Sequence, residues 1–451
     1  MKDLTEGAIT RHILTMAAPI AIGMIFQALY FLIDLYFIGE LGAHALAGVG
    51  AAGNAAFLVM ALTQVLGVGT VALISQAVGR KDRAEANLVF NQSLMLALLV
   101  GLAVLLLGYA AAHAYMASVS SDPATIAAGR TYLHWYMPGL ALQFALVSMG
   151  SALRGTGIVQ PTLVVQLLSV IINAILAPVL IAGWLTGHPL GVAGAGLAST
   201  LSLAAAVAAL WFYFHRLEHY VRLDPRLLAP RWREWGRILA IGLPAGGEYA
   251  LMFLFSAVIY WAIRDFGAAA QAAFGAGSRL VQGLILPAMA VAFAAGPIIG
   301  QNFGAGRADR VRSCFGSALL LISALMVALA GGVYWQAGSL IGYFAKDDEV
   351  VRYGVQFLQL ISWNFIAQGV IFTCSSVFQG LGDTRPALLS STVRLLAFVA
   401  PVMWLVAQGG FAIEQVWHFS IGSTFIQALV SLLLLRRQFG QRLRPVAAFA
   451  R

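Results

Sequence analysis

Twelve long apolar segments with almost no charge inside them constrain the fold of this chain more than any other feature. They cover residues 13–38, 46–76, 88–115, 132–152, 162–185, 191–214, 237–263, 271–300, 313–344, 353–378, 387–408 and 415–435. A bilayer crossing needs about 20 apolar residues. Each segment is therefore long enough to cross, and the longer ones must tilt, kink or extend past the hydrocarbon. Of 451 residues 60% are hydrophobic and 10% charged, whereas soluble domains carry about 25% charge. Water-soluble and disordered folds are excluded, and the gaps leave no room for a soluble domain. The expectation is an all-α polytopic membrane protein. Cys314 and Cys374 are the two cysteines, too few for a disulfide scaffold or a multi-cysteine metal site. The opening stretch MKDLTEGAITRHILTM lacks a clear cleavage site, so the first segment reads as a retained span rather than a signal peptide.

The net charge of +9 would suggest a nucleic-acid partner in a soluble protein. Here its placement points to topology, and no nucleic-acid partner is expected. With the N-terminus inside, 21 bases fall in cytoplasmic gaps and only Arg130, Arg264, Lys346 and Arg352 fall outside. The positive-inside rule then places both termini in the cytoplasm. Arg279 and Arg394 are the two bases within or near spans. Arg394 is expected to snorkel to the cytoplasmic surface, and Arg279 to face a cavity or pair with an acid.

A shift of 225 residues superimposes one half of the chain on the other. It aligns Pro19 with Pro244, Gln76 with Gln301, Gln143 with Gln368, Gly155 with Gly380 and Pro161 with Pro386. The reading is an N-terminal six-helix lobe (1–215), a cytoplasmic basic linker (216–236) and a C-terminal six-helix lobe with a short basic tail (237–451). Six spans per half is an even number, so the halves are parallel repeats. Secondary transporters use that plan with a central cavity between the halves.

Ionisable groups inside a membrane are functional candidates because burying them is expensive. Asp34 lies in the outer third of span one and Glu248 near the middle of span seven. Asp34 is the sharper candidate for binding and releasing a proton or Na⁺, with Tyr30 one turn earlier on the same helix face. Under the 225 shift, Asp34 meets Ile259 and Glu248 meets Gly23, so ion chemistry is expected to differ between the halves. Pro19 and Pro244 are candidate bending points because each removes a helix hydrogen bond. His215, Glu218 and His219 spell H-x-x-E-H, a zinc signature; beside a basic loop and with no further acidic ligand, it reads as a solvated helix end. No resident metal or cofactor is expected. With no nucleotide loop or nucleophile elbow in the sequence, neither ATP-driven pumping nor an enzyme is expected.

At these residues the chain resembles the multidrug and toxic compound extrusion (MATE) family, in its bacterial DinF/NorM-like branch. The likeness rests on DLYFIGELG in span one and on the paired motifs SQAVGRKDRAEA and GQNFGAGRADRV. RGTGIVQPT and QGLGDTRPA, which also recur in both halves, complete it. The resemblance implies an antiporter that exports cationic or amphipathic organic compounds in exchange for Na⁺ or H⁺ by alternating access. It also implies multidrug efflux and antibiotic resistance, and a place in the bacterial inner membrane; a functional monomer is the default expectation. Its cation or proton site would use Asp34 and Tyr30 of span one, Asn173 of span five and Ser199 of span six, where the family has Thr. Ala177 stands where the family has a second acid. Glu248, Arg279 and Gln368 are candidates for a substrate or second ion site, and Pro19 matches a bending proline. The alternative is a lipid-linked oligosaccharide flippase of the same superfamily, which Arg279 favours.

Overall fold

In lipid a backbone amide has no water to bond, so a spanning segment must satisfy its own hydrogen bonds. The apolar segments accordingly form helices. The computed structural model describes residues 1–218, 220–344 and 346–443; His219 of the H-x-x-E-H run and the tail bases Arg444 and Arg451 lie outside them. In the first half the helices are α1 (Ile9–Gly39), α2 (Ala43–Gly79), α3 (Arg83–Val119), α4 (Pro123–Gly155), α5 (Gln160–Ile181) and α6 (Val192–Arg216). The second half contains α7 (Trp232–Ala262), α8 (Gly267–Gly304), α9 (Ala308–Gly342), α10 (Asp348–Ile361), α11 (Asn364–Gly380), α12 (Arg385–Gln408) and α13 (Ile413–Arg442). Eleven of these are long and apolar enough to cross a membrane, and α10 with α11 makes a twelfth if the bent pair is one span. Large apolar side chains such as Leu107, Leu320 and Trp335 stay exposed, as a surface facing lipid tails requires.

Span ten is not the single straight helix the sequence suggests. It breaks between α10 and α11 with a bend of 52°. Ser362 Oγ donates to the Gln359 carbonyl at 2.7 Å, and Phe365 N bonds the Ser362 carbonyl three residues back. Such side-chain back-bonding and tightened turns compete with the α-helical ladder. Pro138, at the matching place in α4, leaves that helix continuous.

The chain divides into two compact units. One is Met1–Asp3 with Ala18–Gly242, the other Leu4–Ala17 with Leu243–Arg451. Two of the three boundaries, after Ala17 and after Gly242, fall within a turn of a helix-interior proline, Pro19 in α1 and Pro244 in α7. In the first unit α4 is the centre and packs on α2, α3 and α6; in the second, α8 and α11 take that place.

Each unit also holds a non-helical segment by amide side chains. Gln92 Nε2 donates to the carbonyls of Leu227 and Ala229, and Gln92 Oε1 accepts from Arg231 N. The residues read as a linker are thus fastened along α3. In the second unit Leu4 N donates to Gln301 Oε1 at 3.0 Å, and Asn302 Nδ2 donates to the Leu4 carbonyl at 3.1 Å.

Candidate functional site

Small residues in α6 make the first unit's site. A methyl group at Gly194 would lie 2.3 Å from the Leu180 carbonyl oxygen of α5. At Gly196 it would lie 2.7 Å from the Tyr132 carbonyl oxygen of α4. Only glycine admits both neighbours so closely, as helix contacts in membranes favour. Thr200, one turn on, accepts from Gly139 N at 3.2 Å and donates to the Trp135 carbonyl at 2.6 Å, tying α6 to α4. Ser199 then faces α1.

Asp34 is buried, and Ser199 Oγ donates to its Oδ2 at 2.9 Å. Its Oδ1 is buried with no hydrogen-bond partner, and so are the Tyr30 hydroxyl and both side-chain polar atoms of Asn173. Of the four candidates, α1 supplies two, α5 one and α6 one. The structure joins Asp34 to Ser199 directly and leaves Tyr30 and Asn173 buried with unused polar atoms. Buried polar atoms are normally satisfied, so four orphans on three neighbouring side chains set this place apart.

Tyr132 and Tyr136 of α4 also border the site, close enough to Asp34 to interact with its charge; their rings lie 5.1 Å apart. Sequence reasoning missed them. The signal was available, because the 225 shift matches them with Phe357 and Ile361, hydroxyl against hydrocarbon, as Asp34 is matched with Ile259.

The second unit arranges its polar residues differently. Ser375 of α11 and Ser391 of α12 donate to Glu248 Oε1 at 3.3 and 3.4 Å. Gln427 of α13 donates to Ser391 Oγ at 3.0 Å, and Arg394 donates to Gln427 Oε1 at 3.5 Å. Arg394 therefore does not snorkel, which corrects the sequence expectation. Its guanidinium sits 4.2 Å from the Phe255 ring centroid, and its Nε is buried without a partner. Desolvation over an aromatic face strengthens a cation–π contact, which keeps the side chain inward. Arg279 is exposed on α8 and Gln368 is half-buried on α11. Neither is among the hydrogen-bond partners of Glu248.

Among the described residues no group of three or more His, Cys, Asp or Glu could hold a metal ion, and His219 of the H-x-x-E-H run lies outside them. His215 stacks on Trp211 and Glu218 accepts from Tyr220 N.

The repeat and the site can be set beside known proteins. The MatE family model matches twice, over residues 19–179 and 244–405. The chain belongs to the MatE family. Both matches begin on an interior proline and stand 225 residues apart, as the internal repeat does. Among relatives, the multidrug export protein MepA of Staphylococcus aureus is 24% identical over 434 residues, covering 96% of this chain and 95% of its own. The probable multidrug resistance protein YpnP of Bacillus subtilis is 26% identical over 438 residues, covering 94% and 96%. A transporter of the MOP superfamily from Pyrococcus furiosus shares the fold with a TM-score of 0.91 at 22% identity over 98% of both chains. A MATE protein solved in complex with MaD3S gives 0.90 at 22%, over 97% of this chain and 98% of its own.

This MatE chain is a multi-pass membrane protein. Ala177, where the resemblance led one to look for a second acid, is fully buried one turn beyond Asn173 in α5. Asp34 is thus the carboxylate around which the first-unit cluster is arranged.

Proposed function

We propose that the chain is a secondary active antiporter that exports cationic or amphipathic organic compounds in exchange for Na⁺ or H⁺. The observation that carries this reading is the Asp34 cluster. One carboxylate oxygen is held by Ser199, and the other is buried with nothing bonded to it, beside the unused polar atoms of Tyr30 and Asn173. Oxygen donors around one carboxylate suit a hard monovalent cation, and the same carboxylate can take a proton instead. One carboxylate balances one monovalent cation. The family and the names of its relatives, which speak of multidrug export, support efflux as the direction.

The site is proposed to work by competition under alternating access. Ion or proton arrival at Asp34 changes the charge and packing of α1, with Pro19 as the bending point, and weakens substrate binding. The coupling is reciprocal, so substrate weakens ion binding by the same factor. The chain is proposed to work as a monomer in the bacterial inner membrane with both termini cytoplasmic. This placement rests on the 21 bases assigned to one side. A flippase for pyrophosphate-linked lipids would call for free basic groups deep in the membrane. Arg394 is instead engaged with Phe255 and Gln427.

The test is drug efflux from cells and from inverted vesicles, with Na⁺ and pH gradients varied separately. Asp34→Asn is expected to abolish gradient-driven efflux at unchanged expression. Full gradient-driven efflux by that variant overturns the proposal.

A further inference from the structure

Where residues 220–231 run along α3, the first unit has an open groove of about 390 Å³ lined by Arg83, Ala84, Asn87, Tyr220 and Arg222. We propose that this groove binds the phosphate headgroup of an anionic phospholipid of the cytoplasmic leaflet. The inference concerns a different part of the molecule from the Asp34 cluster, and only the choice of leaflet rests on the proposed topology.

The groove is built rather than incidental. Asn87 Oδ1 accepts from Arg222 N at 2.7 Å, Asn91 Nδ2 donates to the Arg222 carbonyl at 2.8 Å, and Asn91 Oδ1 accepts from Asp224 N at 2.9 Å. The backbone on both sides of Arg222 is thereby fixed to α3. Opposite it, Arg83 Nε donates to the Tyr220 carbonyl at 3.0 Å, and the Arg83 guanidinium lies 5.8 Å from the Tyr220 ring centroid. Two arginines are brought to one groove before any ligand arrives. Arg222 is exposed, with hydrogen bonds made by its backbone, and the Tyr220 hydroxyl is buried with no partner among the described residues.

The neighbouring acids each accept a backbone hydrogen bond or, in the case of Glu85, form ion pairs. Asp82 accepts from Glu85 N, Glu218 from Tyr220 N and Asp224 from Arg226 N. Glu85 is bridged by Arg80 and Arg237. Asp82 also closes the start of α3, so recognition falls to side chains rather than to free helix amides. A phosphodiester offers the acceptor oxygens that guanidinium forks and a phenol match. Arg83 opens a spanning helix, so the groove lies at headgroup depth, where basic pockets meet anionic lipid. The Tyr220 ring and Ala84 supply an apolar wall that suits a lipid better than a free anion.

The experiment is native mass spectrometry of the delipidated full chain in detergent. It is titrated in parallel with dioleoylphosphatidylglycerol, dioleoylphosphatidylcholine and inorganic phosphate. Phosphatidylglycerol is expected to give the first adduct at lower concentration than phosphatidylcholine, and inorganic phosphate is not expected to displace it at equal concentration. Arg83→Gln with Arg222→Gln should weaken the phosphatidylglycerol adduct about tenfold or more, and Tyr220→Phe should weaken it less. Arg226→Gln on the same segment should leave it unchanged. Should the double variant fail to fold, Arg222→Gln alone gives the same readout, since Arg222 is exposed and its fixed hydrogen bonds are made by its backbone. Equal binding of phosphatidylcholine, or phosphatidylglycerol binding unaffected by a folded Arg222→Gln variant, overturns the assignment. Displacement by inorganic phosphate also overturns it, in favour of a free-anion site.

Discussion

Ser199 donates to Asp34 Oδ2 at 2.9 Å, so its removal isolates what that bond contributes to fixing the carboxylate. A hydrogen bond to a charged group is worth about 1.5 kcal/mol or more, close to tenfold in affinity. The donated bond stabilises the ion-free carboxylate, so Ser199→Ala should tighten apparent binding of a coupling proton by about that factor, while Ser199→Thr, which keeps the hydroxyl, should change it much less. Efflux measured against ion concentration reads the difference. A second residue-scale expectation concerns Asp122, which caps α4. Thr125 donates to it from both hydroxyl and amide, and His44 lies 2.8 Å away. These bonds, the Thr125 hydroxyl foremost, lower its pKa from 3.8 to about 2. A folded-state value below the ordinary one adds stability that is fully present above pH 3.8 and is lost as pH falls through about 2. The melting-temperature gap between the native chain and Asp122→Ala should therefore stay constant above that window and close as the pH falls. Asp34 itself was legible from sequence because an acid in an apolar span is rare. That Tyr30 and Asn173 leave polar atoms unpaired was not, since it depends on how α1, α5 and α6 approach.

At the scale of elements, the loops after α2 and α8 show what the repeat conserves. Asp82 N bonds the Ala77 carbonyl and Arg307 N bonds the Asn302 carbonyl, both at 2.9 Å. This closure needs a left-handed residue just past the helix. The second half uses Gly306 at φ 72°, but the first uses Lys81 at φ 60°. A side chain in that region costs about 1 kcal/mol. Lys81→Gly should therefore raise the melting temperature, and Gly306→Ala, which meets no neighbour within 4 Å, should lower it through backbone strain alone. Scanning calorimetry or fluorescence melting in detergent measures both. The sequence predicts these turns from the paired motifs, and it predicts the helices from apolar length. The break between α10 and α11 escaped it. Span ten carries no proline there, and the tightened turn in which Phe365 N bonds the Ser362 carbonyl is a conformational choice that composition does not announce.

Across the whole molecule, one scaffold carries two opposite fillings. The 225 shift sets Tyr30 against Phe255, Asp34 against Ile259, Tyr132 against Phe357 and Asn173 against Phe398. Where the first unit gathers hydroxyls, an amide and a carboxylate, the second packs Phe255 against Phe398 with centroids 4.5 Å apart. The second unit's own acid is also differently provided for. Glu248 is hydrogen-bonded by Ser375 and Ser391, and Ser391 leads through Gln427 to the Arg394 cation. A carboxylate joined by hydrogen bonds to a built-in cation has less need of a mobile one. Asp34 has no such cation among its hydrogen-bond partners. Efflux rate against coupling-ion concentration should then follow a single binding event, with a Hill slope of about 1. Glu248→Gln should leave that slope unchanged, and Asp34→Asn should remove the dependence altogether. Arg394→Gln is the decisive variant, because it removes the cation to which the Ser391–Gln427 hydrogen-bond chain leads, and it should raise the slope above 1. A native slope near 2 that Glu248→Gln reduces to 1 would mean instead that both carboxylates exchange ions, and that Arg394 does not replace one.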